Sequence, residues 1–316
     1  MSPPQPATLP PPDNVAAGIG LKVTSVAIFL LMASLLKATG NLPPGQLVFF
    51  RSLFAIVPII VFLAWRGELV DGFKTANPLG HLTRGLVGTG GMVLGFIALT
   101  RLPLPEAIAI NYATPLLIVV FGALILKETV RLYRWSAVVV GLVGVGIILW
   151  PRLTVFSGGP LDDAGIGAVM ALLACVFAAF ATIAVRTLVR TERSATVVLY
   201  FSIFTTFIGA LMLPFGWIDP TPEQWVMLTV AGIAGGIAQI LLTESYRHAD
   251  VSLVAPFEYT SLLLSLGVGY LFFAEVPTLT MLVGALIVVG AGLFIIFREH
   301  ALGLERRKAR QVTPPQ

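Results

Sequence analysis

The chain has 316 residues, of which 57% are hydrophobic and 11% charged, with a formal net charge of +4 and a mean hydropathy of +0.92. Soluble domains carry about 25% charged residues, so a soluble globule of this size could not cover its surface with so few. The composition excludes an ordinary soluble enzyme, a disordered chain and a nucleic-acid binder, and it points to a polytopic membrane protein.

Residues 1–14 hold six prolines and no basic residue. A secretory signal needs a positive first region and a small-residue cleavage site, so residues 1–19 read as a disordered tail. A spanning helix needs about 20 mostly apolar residues. That template predicts ten, at 20–37, 45–65, 83–100, 105–126, 133–150, 163–187, 195–215, 223–243, 251–274 and 278–297. Helix-stopping residues punctuate the links, among them Pro43-Pro44, Pro151, Gly158-Gly159-Pro160 and Asp219-Pro220. The runs are too long for strands and lack period-two alternation. The expected fold is an all-α membrane protein of ten transmembrane helices, with 298–316 as a basic tail carrying Arg306, Arg307, Lys308 and Arg310.

Lysine and arginine set the expected orientation. With the N-terminus inside, sixteen of the 20 basic residues fall on inner segments and span ends, Lys22, Arg84, Arg134 and Arg186 among them. Only Arg101 and Arg152 fall in outer loops, while Lys37 and Arg51 lie inside spans. An even number of spans then leaves both termini cytoplasmic. The positive charge is topogenic, and no nucleic-acid partner is expected.

Residues 98–149 resemble residues 245–295. A shift of 147 lays Tyr112 on Tyr259, Gly122 on Gly269 and Glu128 on Glu275; after one gap, Gly144 and Gly146 fall on Gly290 and Gly292. Each half, 20–150 and 163–297, then holds five spans, so the second enters the membrane the other way up. Inverted repeats are a recurring plan for alternating-access transporters, with the site between the halves near the midplane.

The stretch A-L-x-x-L-P-x-x-E-A runs from Ala98 and Leu99 through Leu102 and Pro103 to Glu106 and Ala107. Pro115, Leu126, Glu128, Gly141, Gly144 and Gly146 follow it. This pattern resembles the EamA-type transporters of the drug/metabolite transporter superfamily, over roughly residues 20–297. The second copy keeps Glu275, Gly290 and Gly292 but has Ser245 for Ala98 and Leu262 for Pro115. The resemblance implies a central cavity formed by both halves, an inner-membrane location, and secondary transport of small organic metabolites without ATP. The runs RSLFA at 51–55 and HLTRGLVGTGGM at 81–92 are similar to a subgroup that includes riboflavin importers and S-adenosylmethionine uptake carriers. Riboflavin is the first cargo this implies, S-adenosylmethionine the second, and amino-acid or drug efflux the third.

Ionisable residues deep in a span are costly and mark functional candidates. Arg51 lies about six residues, roughly 9 Å of helix, into the second span. It could clamp a carboxylate, phosphate or ring carbonyls, or snorkel to the surface. Glu258 lies about seven residues into the ninth span. A carboxyl there suits proton coupling, a cationic cargo or pairing with Arg51; a helix–helix hydrogen bond is the bland alternative. Its repeat partner Asn111 does not titrate. Tyr112 and Tyr259 offer flat apolar surface and hydroxyls for a heteroaromatic ligand, or plain packing. Gln239 can bond cargo or a neighbouring helix. The expected substrate site is therefore Arg51, Asn111, Tyr112, Gln239, Glu258 and Tyr259. Lys37 reads as a snorkelling anchor.

The glycines of GLVGTGGMVLG at 85–95 resemble a phosphate loop only superficially, because they lie inside a span; close helix packing is the better reading, there and at Gly232, Gly235 and Gly236. His81, His248 and His300 share no helix spacing, and Asp162-Asp163 is not followed by a second acidic pair. No metal, cofactor or catalytic set is expected, and an intramembrane enzyme or a non-transporting scaffold is the alternative class. Glycine-rich faces pack within a chain as well as between chains, so they fix no oligomeric state.

Overall fold

The computed structural model describes residues 15–127, 129–152, 162–189, 191–249 and 251–312. The family-pattern residue Glu128 and the Gly158–Pro160 link lie outside the described residues. Every regular element among those described is helical.

Eight helical stretches are long and apolar enough to cross a membrane. Helix α1 is Val15–Ala38 and starts inside the stretch expected to form a tail; α2 is Pro44–Trp65. After the single turn α3 (Leu69–Gly72) comes α4 (Pro78–Arg101). Next are α5 (Leu104–Asn111) with α6 (Ala113–Ile125), then α7 (Leu132–Leu149) and α8 (Asp163–Leu188). The shorter α9 (Ser194–Leu211) ends before a 3-10 turn at Leu213–Phe215, and α10 is Pro222–His248. The ninth expected span is not one helix. It is α11 (Val251–Val254), a 3-10 turn at Ala255–Tyr259 and α12 (Thr260–Phe273). Finally α13 runs from Leu279 to Val312, well past the boundary expected at 297. Local chemistry fixes several starts. Asn77 accepts from the Gly80 N–H, Asp162 from the Gly165 N–H, and Thr221 forms a capping box with Gln224.

Two predicted continuous helices are broken, and at equivalent places. The segment predicted at 105–126 breaks at Tyr112, between α5 and α6; the segment predicted at 251–274 breaks through Ala255–Tyr259. The physical cause is proline. Pro115, three residues after Tyr112, has no N–H to give the Asn111 carbonyl, and Pro256, three residues before Tyr259, has none to give the Ser252 carbonyl. Both segments also stop alike. Among the described residues, Lys127 and Ala274 are the non-glycine ones with positive φ, at 53° and 51°. This left-handed turn follows Leu126, the last residue after α6, and Phe273, the last of α12. Tyr112 to Tyr259 and Lys127 to Ala274 are each separated by 147 positions, the shift that aligns the two stretches.

Packing is reciprocal. Helix α1 lies along α10, and α4 lies along α8; α2 touches both α9 and α10, and α7 lies on α13. Glycines permit these approaches, as expected. A Cβ at Gly91 would stand 3.1 Å from the Cβ of Phe177 on α8, and one at Gly236 would stand 2.7 Å from the Ala55 carbonyl on α2. The outer faces keep large apolar side chains exposed, such as Val61, Leu86, Val139 and Leu286, as lipid contact requires.

Candidate functional site

Ion pairs and amide bonds close one end of the bundle. Lys37 on α1 pairs with Glu275 at 2.8 Å and also donates to the carbonyls of Leu99, at 3.4 Å, and Leu102. The other Glu275 oxygen accepts from the Leu104 N–H at 2.7 Å, at the start of α5. Lys37 is therefore a cross-link between α1, α4 and the segment after α12, not the snorkelling anchor expected of it. Its ammonium finds three acceptors inside the protein, so it has no need to reach water. Arg152 holds the buried Glu106 with both arms, at 3.0 and 2.7 Å. Gln46 bonds both polar backbone groups of Ile218, and Gln224 donates to the Thr39 carbonyl at 2.8 Å.

The opposite end carries the starts of α1, α4, α7 and α9, and most of the basic residues. Two adjoining cavities open there, and Tyr246 on α10 lines both. The first, about 300 Å³, contains Arg51, Gln239, Arg84, Ser202 and Thr243. The second, about 580 Å³, contains Asn111, Tyr112, Glu258, Tyr259, Lys22 and Arg186. The six predicted site residues thus all line these cavities, divided between two compartments. Arg51 and Gln239 share one; Asn111, Tyr112, Glu258 and Tyr259 share the other. Of the uses open to Glu258, pairing with Arg51 does not occur.

The partner of Glu258 is Lys22 instead. Lys22 was expected at the membrane surface, yet its side chain is only 3% exposed, whereas that of Glu258 is 52% exposed. The proline break explains the inversion. It unwinds the backbone around Glu258, which opens the carboxylate to the cavity, while α1 carries Lys22 inward against α10 and the Ala255–Tyr259 turn. Tyr112 and Tyr259 meet edge to face, with ring centroids 4.9 Å apart. The Tyr112 hydroxyl bonds Ser261 at 2.5 Å. Two flat faces do not sandwich a slot; the pair forms one aromatic wall. A Cβ at Gly292 would run into the Tyr259 hydroxyl, so this glycine of α13 makes room for the wall.

Sequence reasoning missed Lys22 and Arg84 as cavity residues, because each lies near the start of a helix and was assigned to the topogenic charge. Their signal was position: Lys22 lies seven residues after Val15, and Arg84 six after Pro78, already more than one helical turn into an apolar run. Glu106 stood in the family pattern without a stated partner, and Arg152 was assigned to a loop.

The links at the open end are fastened too. Glu192 accepts from the Thr75 hydroxyl and from the N–H groups of Ala76 and Asn77. Burial alone would raise its carboxyl; these donors and nearby His81 hold it below the usual carboxylate range.

An all-helical bundle with eight membrane-crossing stretches, closed at one end and hollowed at the other, defines a multi-pass membrane protein of the transporter class. The chain belongs to the EamA-like transporter family, which matches at residues 16–150 and again at 165–298. It is 32% identical over 284 residues to the pseudopaline exporter CntI of Pseudomonas aeruginosa, covering 88% of this chain and 95% of that one. It is 27% identical to an S-adenosylmethionine uptake transporter of Rickettsia bellii, over 88% of this chain and 96% of that one. It is 29% identical to a riboflavin transporter of Rhizobium johnstonii, over 90% of each. A crystal structure shares the fold with a TM-score of 0.64 at 22% identity, covering 91% of this chain and 99% of that one.

Proposed function

We propose that this chain is a secondary transporter that carries a small organic metabolite across the inner membrane by alternating access. The observation that carries the reading is the pair of cavities open at one end while ion pairs close the other. The halves 20–150 and 163–297 act as two inverted five-helix units that cross the membrane ten times in all. The reciprocal packing of α1 on α10 and α8 on α4, and the matched breaks at Tyr112 and Tyr259, support that relation. Both termini lie in the cytoplasm, so the conformation described is open inward. Cargo meets Arg51, Asn111, Tyr112, Gln239, Glu258 and Tyr259, and no chemical conversion is involved.

The aromatic wall suits a flat heteroaromatic part, which both riboflavin and S-adenosylmethionine have. Lys22 bonds one oxygen of Glu258, and the carboxylate, still half-exposed beside that wall, favours the cationic one of the two. S-adenosylmethionine therefore comes before riboflavin, the reverse of the order the sequence implied. The experiment is uptake of each labelled compound into liposomes holding the purified chain. Accumulation of S-adenosylmethionine that Tyr259→Ala abolishes, with insertion unchanged, is the expected result. Transport of neither compound nor of a wider amino-acid panel would sink the transport reading. Proton coupling would run through Glu258, and a Glu258→Gln variant that still concentrated cargo under a proton gradient would remove it.

A further inference from the structure

Arg51 and Arg84 face the same cavity from α2 and α4. Arg51 is 8% exposed. Its Nε has no hydrogen-bond partner, and neither have the Nε and one Nη of Arg84. Among the described residues no carboxylate pairs with either one; the Arg84 guanidinium instead lies 4.0 Å from the centre of the Phe201 ring. Other deeply placed cations among the described residues have found an acid: Lys22 has Glu258, Lys37 has Glu275, and Arg152 has Glu106. Two like charges left unpaired in a sheltered cavity repel each other, and their buried nitrogens bear a desolvation cost without a partner to offset it. Glycines keep them there. A Cβ at Gly88 would collide with the Arg84 guanidinium, and one at Gly235 would stand 3.3 Å from the Arg51 Nε.

We propose that Arg51 and Arg84 form an anion subsite that takes the carboxylate or phosphate group of the transported metabolite. Two guanidinium forks match the planar or tetrahedral oxygens of such a group and offer several parallel N–H donors. Gln239, Ser202 and Thr243 line the same space and supply neutral polar contacts. The subsite rests on the transport reading and narrows it. Cargo is anionic at one end, and its other end extends past Tyr246 toward the aromatic wall and Glu258. A zwitterionic metabolite with a carboxylate meets both demands, and uncharged riboflavin meets only one.

The test is thermal unfolding of the purified full chain in detergent at constant ionic strength. The probes are succinate, citrate and glycerol 3-phosphate, each against an uncharged counterpart such as succinamide or glycerol. Anions are expected to raise the midpoint and the counterparts to leave it unchanged. Arg51→Gln or Arg84→Gln should raise the half-saturating concentration on the order of 30-fold, while Lys74→Gln, at the exposed link, should not. If either glutamine variant fails to fold, Arg51→Lys and Arg84→Lys take its place and should weaken binding several-fold, because they keep the charge and lose the fork. No anion binding, equal stabilisation by the neutral compounds, or full binding by the variants overturns the subsite. A shift given only by phosphatidylglycerol, and not by the soluble anions or phosphatidylcholine, assigns the site to a lipid headgroup and overturns the cargo assignment. Liposome transport separates the two readings. Unimpaired transport of S-adenosylmethionine by Arg84→Gln refutes the subsite alone, and anion binding without any transport refutes the transport reading alone.

Discussion

Two arginine sites in this molecule differ in whether the charge finds an acid inside the fold. At the closed end, Arg152 reaches a buried carboxylate with both arms. In the first cavity, Arg51 and Arg84 reach none among the described residues. Both sites cost desolvation; only the first recovers it within the protein. A charge paired inside the fold holds helices together. A charge left unpaired in a cavity adds nothing to the fold and keeps its attraction for whatever enters. The closed end is therefore built from completed pairs and the cavity from an incomplete one.

That contrast can be broken by stability measurements in detergent. The largest effect is expected for Arg152→Met, which strands the Glu106 carboxylate in the interior and should cost about 3 kcal/mol in denaturant unfolding. Lys37→Met should cost about 2 kcal/mol, since Glu275 keeps its bond from the Leu104 N–H. Arg84→Gln should go the other way. Removing one of two unpaired like charges should leave stability within about 1 kcal/mol of the native chain, or raise it. A loss as large as that of Arg152→Met would erase the distinction between the two sites. The smallest effect concerns Glu192. Its carboxyl is held low, so its contribution is complete above the usual carboxylate range and is lost as pH falls through and below it. Hydrogen exchange at Ala76 and Asn77, corrected for the intrinsic rate, should accelerate at acid pH, and Glu192→Gln should abolish that dependence.

Eight membrane-length helices and the two repeats were legible because they rest on patterns that a single segment carries by itself: apolar run length, helix-stopping residues and matched Tyr, Gly and Glu spacings. The glycine faces were legible for the same reason. The ends of the run logic were not. Pro115 and Pro256 could be seen, but an apolar run on either side of a proline still reads as one span, so the breaks at Tyr112 and Tyr259 were hidden. Long-range partners were hidden more deeply. Lys22 and Glu258 lie 236 positions apart, and nothing local in either segment names the other. Arg84 was missed as a cavity residue because a charge near a helix start has two uses, anchoring the helix to a membrane surface or lining a cavity, and only the neighbouring helices decide between them.

The chain has one cysteine. Cys175 is buried on α8, where its thiol donates to the Ile110 carbonyl at 3.4 Å, two residues before the break at Tyr112 in the fourth segment. A thiol in that position is shielded from water-borne maleimides. The native sequence is therefore close to a silent background for labelling, with no residue to remove first. A cysteine introduced at Asn111, on the open cavity wall, would be the single reactive thiol in the protein. Its labelling by a membrane-impermeant reagent from either side would then report directly which way the cavity faces.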